Sequence, residues 1–560
     1  MEKQLVRIFT ILSIAFFFSG CTSDEVKYKS NIIISNSDSI VLKFGEGTYV
    51  LPVNFSKDLG DKDIIIEGVA GKTIITSYNG KPATDFKPKI IDTNLPDSFS
   101  NGLYVVANHP SYSYGGGFAH LNLKGVYNTG GIDCFYTMGT VLQKVNGVWS
   151  RHFAGYGFQS KGNIIVKDVI FDNCAFYLFS PFNLTGGSER FELINCEFKN
   201  VARVVSSMYY GGINQKPDWC NALQSYPSNG TFRFNEFTIE NCKFDNIYTS
   251  IIWGFPPSKI TKITGNSIKN SNTMIAAFNL YMKCYGNDNY YTDKASQIIT
   301  NNVFENIVTK NSNTTALIRT SGIANVSNNH FIDCSQQIYL SGGNTIFSNN
   351  TISKWNDGIE LQSPVILIKA NEWVNTISDN IITAPMSTMV ALEGTASVVI
   401  QNNVFKGLSR WRLIDSKTTE IKNDCVYYAT DLSKLKSLAV ADTNVTINSH
   451  IYFDKQKNKW CKTKINLIGF VFSKNDASYS SSQYLKIINN TLDAEGITNI
   501  TGQATSTFGY VNISGNDILN ARYLHLGTTP VNDYLYSNNY LINSAYPLSG
   551  YLKIKNFIVK

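Results

Sequence analysis

Residues Thr314–Phe331 read TTALIRTSGIANVSNNHF. A short apolar run stops at Arg319, a turn-forming Thr-Ser-Gly follows, and a second run reaches Asn328-Asn329 just before His330-Phe331. The closing pattern, apolar-x-Asn-Asn-x-apolar, recurs along the chain. Its final apolar residue falls at Phe171, Phe198, Phe244, Ile268, Phe304, Phe331, Ile352, Ile382, Phe405, Val426, Leu492, Ile518 and Leu541. Most neighbouring marks are about 23 residues apart, a period that signals stacked repeats. The 46 residues from Phe198 to Phe244 read as two such periods, and the 66 from Val426 to Leu492 as three. Asn stands two positions before nine of the marks, at Asn266, Asn302, Asn329, Asn350, Asn380, Asn403, Asn490, Asn516 and Asn539; Cys196 and Cys242 fill two of the other places.

Between the marks lie short runs rich in β-branched and aliphatic residues, such as Ser397-Val398-Val399-Ile400, divided by Gly, Ser, Asn or Asp. Helical spacing is nearly absent. Short strands with tight turns at this period predict an all-β fold: a single-stranded, right-handed parallel β-helix whose coils of about 23 residues stack about 4.8 Å apart. Propeller blades need about 40 residues, and β-sandwiches carry no strict Asn period. Asn tolerates left-handed backbone angles, and its amide can bond to the same position one coil away. An internal amide ladder is therefore expected, with the phenylalanines two positions on stacked beside it.

The chain begins MEKQLVRIFTILSIAFFFSGCTSDEV. Lys3 and Arg7, the apolar run Ile8–Phe18 and the small residues before Cys21 form a secretion signal. Ser19-Gly20-Cys21 resembles the bacterial lipobox, which implies lipidation of Cys21 and attachment to a membrane through that anchor; an ordinary signal with an incidental cysteine is the alternative. Asp24 and Glu25 resemble the export tag of surface lipoproteins, so the expected location is the bacterial outer membrane, facing outward. No second apolar stretch is long enough to span a bilayer. The expected organisation is a signal over 1–20, a linker and cap over 21–58, and β-helix over 59–430 with long loops at 103–160, 205–235 and 284–296. An excursion containing a short helix then covers 431–483, and further coils occupy 484–560.

The net charge of +7 over 560 residues is mild and suits an acidic substrate. Tyr and Phe together number 64, so aromatic surface is plentiful. Ten cysteines less Cys21 leave an odd number without CxxC spacing, which argues for buried thiols over a zinc site or a disulfide framework. The six histidines show no ligand spacing, His330 being expected in a coil turn, and no metal site is assigned. No phosphate loop or basic tract points to nucleotide or nucleic acid.

Lys283 and Arg319 each lie fifteen residues past a mark, Ile268 and Phe304. Equal distances predict neighbouring positions on one face, with backbones about 5 Å apart. Elimination from a uronate polysaccharide needs a base beside a carboxylate and a cation to hold the developing charge. An arginine about 5 Å from a lysine contributes roughly 3 kcal/mol, enough to lower the lysine by about two pKa units. Another register, with Ile251-Ile252-Trp253 against Ile275-Ala276-Ala277, puts Lys283 beyond the strand. Tyr209, Tyr210, Trp219, Tyr290 and Tyr291 are the sugar-stacking candidates.

The Asn-marked coils, together with Gly47–Pro52 and Ile64–Gly68, resemble the right-handed β-helix superfamily of pectate lyases, other polysaccharide lyases, pectin-type hydrolases and phage tailspikes. The resemblance covers roughly 40–430 and 484–560, and it implies the fold more than any activity. Within that group, RTSGIANVSNNHF resembles the arginine coil of the chondroitinase-B and alginate-lyase family, which implies Lys283 as base and Arg319 as its assistant. Two departures stand out. The family's calcium-feeding acidic strand reads MIAAFNLYM here, without a carboxylate, so a calcium requirement stays open with no ligand set identified. Thr320-Ser321 replaces the usual His-Gly. Asn356-Asp357-Gly358, in WNDGIELQS, resembles an element of the pectin-type hydrolases, but the Asp-Asp and His-Gly of their signature are missing and the triplet is also good turn chemistry. The expected activity is thus a polysaccharide lyase on an acidic glycan. A non-catalytic glycan-binding or adhesive lipoprotein and a pectin-type hydrolase are the alternatives.

Overall fold

The computed structural model describes residues 30–33, 39–51, 56–76, 126–128, 133–137, 140–145, 148–153, 157–160, 162–172, 174, 177–181, 188–201, 203–206, 232–247, 250–253, 258–271, 277–280, 293–307, 316–334, 337–353, 365–369, 373–385, 389–393, 397–408, 450–454, 459–463, 468–471, 484–493, 500–503, 510–519, 524–525, 533–542, 547–548 and 557–559. Two compact units emerge: Met1–Ile298 with Thr309–Leu317, and Ile299–Val308 with Ile318–Lys560.

Both units are built from three sheets, and each coil up to Ile500–Gln503 contributes one strand to each. In the first unit, sheet 1 runs from Ser39–Phe44 through Asp63–Glu67, Ile164–Lys167, Ser188–Ile194 and Phe234–Glu240 to Ser258–Thr264. Sheet 2 follows two residues later in every coil but that of Asp63–Glu67, as in Ile170–Asp172, and sheet 3 completes the turn, as in Tyr177–Pro181. The second unit repeats the scheme with sheet 1 strands such as Val374–Ser378, sheet 2 strands such as Ile381–Pro385 and sheet 3 strands such as Val390–Glu393. The stacking is parallel and in register: Phe171 pairs with Phe198, Phe198 with Phe244, and Phe244 with Ile268. Parallel crossovers take the right hand, and the fold is a right-handed parallel β-helix. At the N-terminal edge of sheet 1, Ser30–Ile33 runs antiparallel against Ser39–Phe44 and pairs an edge that would otherwise be open. The coils therefore start at Ser39, inside the 21–58 segment expected as linker and cap. No helix occurs among the described residues.

From Ile164–Lys167 to Asp517–Leu519 the turn from sheet 1 to sheet 2 is two residues long, and its chemistry explains the repeat. The first turn residue is left-handed: Asp168, Asn195, Asn241, Asn301, Asn328, Asn349, Asp379, Asn402, Asn489 and Asn538 have φ of 52–59°, and Gly265 and Gly515 have 70° and 68°. Asn, Asp and Gly are the residues that occupy this region most readily. The second turn residue points inward and forms the ladder. In the second unit, the backbone N–H and Nδ2 of Asn329 both donate to Oδ1 of Asn350, at 2.9 and 3.0 Å, while Nδ2 also donates to the Ile299 carbonyl at 2.9 Å. Asn302, Asn350, Asn380, Asn403, Asn490 and Asn516 repeat the forward pair of bonds, ending at Asn539. Buried amides are thus satisfied on every side. In the first unit the thiols of Cys196 and Cys242 occupy these places and donate to the same kind of carbonyl, Val166 and Ile194 for one, Leu193 and Glu240 for the other. Cys174, Cys196, Cys242 and Cys334 are all buried free thiols, as expected.

Beside the ladder, the ring centroids of Phe171 and Phe198 lie 5.4 Å apart, Phe198 and Phe244 4.9 Å, and Phe304 and Phe331 4.8 Å, all nearly coplanar in orientation. A second left-handed corner, unforeseen in the sequence, follows sheet 2 at Asn200, Asn246, Asn270, Asn306 and Asp333, with φ of 48–57°. It falls two residues after each mark.

Three expectations need correction. Phe198 pairs directly with Phe244, so their 46-residue separation is one coil carrying an insertion and not two coils. Phe405 likewise pairs directly with Leu492, so Val426 marks no coil in that column. Within 431–483, Ile468–Val471 is a regular sheet 3 strand paired with Val390–Glu393 and Ile500–Gln503, so the excursion ends before it. The described part of that excursion is an antiparallel hairpin, His450–Asp454 against Lys459–Thr463, and the expected helix lies outside the described residues. The 103–160 loop holds an antiparallel sheet of four strands between Val126 and Phe153.

Candidate functional site

The insertions choose their corners. None of the long ones enters the short turn between sheets 1 and 2, where within the ladder a longer connection would break the run of amides. Residues 77–156 and 409–467 enter between sheets 2 and 3, and residues 207–233 and 281–295 between sheets 3 and 1. In the first unit sheet 3 is therefore the face with an insertion point on either side, the arrangement by which rigid scaffolds usually carry function.

Burial singles out the same face. On sheet 3, Ile338, Leu340, Ile366 and Ile368 fill the core, and alternation turns Gln337, Tyr339, Ser341 and Leu367 outward. Outward Leu317, Leu367, Gln337 and Ser341 nevertheless retain only 0%, 8%, 8% and 7% exposure, whereas outward Ile346 on sheet 1 and Ile381 on sheet 2 keep 48% and 51%. The outer face of sheet 3 is withdrawn from solvent, and the other two are open.

Arg319 ends the sheet 3 strand Ala316–Arg319 on that outer face, half-buried, with its guanidinium carbon 5.1 Å from the centroid of the half-buried Tyr339 ring. A cation over an aromatic face at this distance is a favourable, orienting contact. The backbone behind it is locked. The Thr320 N–H donates to the Tyr339 carbonyl at 3.1 Å, the Ser341 N–H to Thr320 Oγ1 at 3.3 Å, and Ser341 Oγ to the Thr320 carbonyl at 2.5 Å. Gly342, at φ +111°, packs so closely that a Cβ there would lie 2.1 Å from the Ser321 carbonyl oxygen. Thr320 and Ser321 are almost fully buried. The two residues that stand where the resemblance expects His-Gly thus hold the corner together.

Lys283, Tyr209, Tyr210, Trp219, Tyr290, Tyr291, Cys21 and the segment 355–363 lie outside the described residues. The strand Phe278–Asn279 begins ten residues after Ile268, and Ala316–Arg319 twelve after Phe304. The alternative alignment is displaced, because Ile252 pairs with Phe278, two residues beyond the proposed Ala276. His330 opens a sheet 2 strand, exposed, and is not a turn residue.

Tyr339 was missed by sequence reasoning because Ile338-Tyr339-Leu340 reads as core. The signal was its place: twenty residues after Arg319, close to one coil. A second buried cation, Arg233, is fully enclosed, with burial lowering its pKa to about 10. Its Nη2 donates to the Gly162 carbonyl at 3.3 Å, and its guanidinium lies 4.2 Å from the Phe234 ring centroid. It fastens a corner and offers nothing to a solvent-borne substrate. Among the described residues no group of three or more His, Cys, Asp or Glu side chains could hold a metal.

Comparison with protein-family models, with curated proteins and with solved structures returned no match for the chain.

Proposed function

We propose that this protein is a lipid-anchored surface protein of a bacterial outer membrane that binds acidic polysaccharide and cleaves it by β-elimination. The observation that supports this reading is the position of Arg319: a cation on the outer face of sheet 3, where its outward neighbours are withdrawn from solvent. A guanidinium engages a carboxylate through two parallel hydrogen bonds, which fixes a uronate and draws charge from the neighbouring C–H. A base beside it then removes the proton, electrons move to form the new double bond, and the glycosidic oxygen leaves on the far carbon. Lys283 is the base in this proposal, and the aromatic side chains at 209, 210, 219, 290 and 291 supply sugar contacts. The pectate-lyase-like ancestry and the anchor at Cys21 belong to the same proposal.

A second reading, glycan binding without cleavage, draws support from the stretch MIAAFNLYM, which holds the strand Phe278–Asn279 and carries no carboxylate where the resemblance implies an acidic strand. One experiment separates the two. Mature protein is mixed with a panel of uronate polysaccharides, with and without calcium, and absorbance from unsaturated uronate ends is followed. The lyase reading requires signal on at least one glycan and its loss in Lys283→Ala and Arg319→Ala. Retained binding with no absorbance change on any glycan would leave the adhesive reading.

A further inference from the structure

We infer that Tyr339 is a substrate-binding residue of the Arg319 site and that the two side chains together select a pyranosyl uronate over other polyanions. The inference rests on the proposed function for its substrate class, and on the geometry for everything else.

Three observations carry it. First, Tyr339 and Arg319 share the outer face of sheet 3, since the flanking Ile338 and Leu340 are core residues. Second, both keep partial exposure while the outward Gln337, Ser341 and Leu367 on the same face are buried. Third, the pair is held from behind by the Thr320–Ser341 bonds and the close approach of Gly342 to Ser321, so the geometry is set before any ligand arrives. A preformed site loses less entropy on binding.

The chemistry follows from the two groups. The guanidinium recognises a carboxylate, which any polyanion supplies. The ring recognises an apolar C–H face, which a pyranose offers and an acyclic polycarboxylate does not. A uronate carries both on one ring, with the carboxylate at its edge. The guanidinium carbon lies 5.1 Å from the Tyr339 ring centroid, so the two groups are close enough to meet the carboxylate and the C–H face of one ring.

The test uses the mature chain and three probes: a uronate polysaccharide to which the wild type binds, the same polymer with its carboxylates reduced to alcohols, and poly-glutamate. Tyr339→Leu keeps apolar bulk, and Tyr339→Phe keeps the ring. The expected result is a roughly tenfold loss of affinity for the uronate polymer in Tyr339→Leu, against less than about threefold in Tyr339→Phe. Affinity for poly-glutamate should be low in the wild type and change less than about twofold in Tyr339→Leu. Thermal unfolding of each variant separates a binding defect from a folding defect. Wild-type binding to the uronate polymer with equal affinities in all three proteins, or equal losses on the uronate polymer and poly-glutamate, would overturn the role of Tyr339 alone. Failure of the wild type to bind any uronate polymer, or equal binding of the reduced polymer, would overturn the substrate reading and this inference with it.

Discussion

Replacing Asn380 by alanine removes four hydrogen bonds at once. The Asn350 N–H and Nδ2 lose Oδ1 of Asn380, at 2.8 and 3.1 Å, and Nδ2 of Asn380 no longer reaches the Phe347 carbonyl or Oδ1 of Asn403, both at 2.9 Å. Two partners keep another bond: Asn350 Nδ2 still reaches the Val326 carbonyl, and Asn403 Oδ1 still accepts the Asn380 N–H. The Asn350 N–H has no such second bond among the described residues and is left in a site closed to water. At about 1 kcal/mol net per bond the cost is about 4 kcal/mol. Repeat arrays need not unfold in one step, so global melting is a poor readout. Native-state hydrogen exchange is better: amides around Asn350 and Asn403 should exchange about a thousandfold faster, the equivalent of 4 kcal/mol. The control is Asn402→Gly, at the exposed left-handed position of the corresponding turn one coil on, where φ is 57° and glycine is tolerated. Exchange in Asn380→Ala no faster than in Asn402→Gly would show that the inward amides contribute nothing beyond turn conformation.

Gly342→Ala should be the most damaging small substitution near Arg319. Its Cβ would meet Ser321 backbone at 2.1 Å in a conformation at φ +111°, and a loss of about 3 kcal/mol or more is expected by denaturant titration. Asn375 is buried between Thr345 and Val398 in register, and neither of its amide atoms has a hydrogen-bond partner among the described residues. Asn375→Val should therefore stabilise the protein by about 1–2 kcal/mol, and a lowered melting temperature would contradict the point. Glu236 is held below the usual carboxylate range chiefly by the hydrogen bond from Lys262 at 2.9 Å, assisted by Thr238. A depressed folded pKa stabilises above the unfolded value of about 4.5 and ceases to as pH falls through the folded one. Lys262→Met should then cost less than about 1 kcal/mol at neutral pH, the pair being half exposed, with the difference from wild type shrinking as pH falls through the lowered Glu236 pKa.

The fold could be read from the sequence because one turn does two jobs. Its first residue must be left-handed and its second must bond along the stack, so Asn is demanded at both and the pattern shows through. The second corner requires only the left-handed angle, and the varied residues around Asn200, Asn270 and Asp333 hide it. Insertion lengths carry no such signature, which is why 46 and 66 residues resembled whole coils. The site was half legible for a related reason. Arg319 stands out as a charge closing an apolar run, but its neighbours are set by corner lengths that differ from coil to coil. Tyr339 shows its role only when alternation is read against the core.

The amide ladder has a direction. In the second unit each Asn donates forward to the carbonyl of the next coil, from Asn302 to Asn539, and Asn539 is paired in sheet 2 with Phe557, which has no amide to continue it. The side-chain dipoles are therefore aligned along the stack, as peptide dipoles are in an α-helix. When coils are added from the N-terminal side, the growing end always presents two adjacent N–H donors and waits for one oxygen. An arriving coil placed one residue out of step offers that oxygen from the wrong side of its strand. Each completed coil thus acts as a template that checks the register of its successor, and errors are rejected locally instead of accumulating along the repeat.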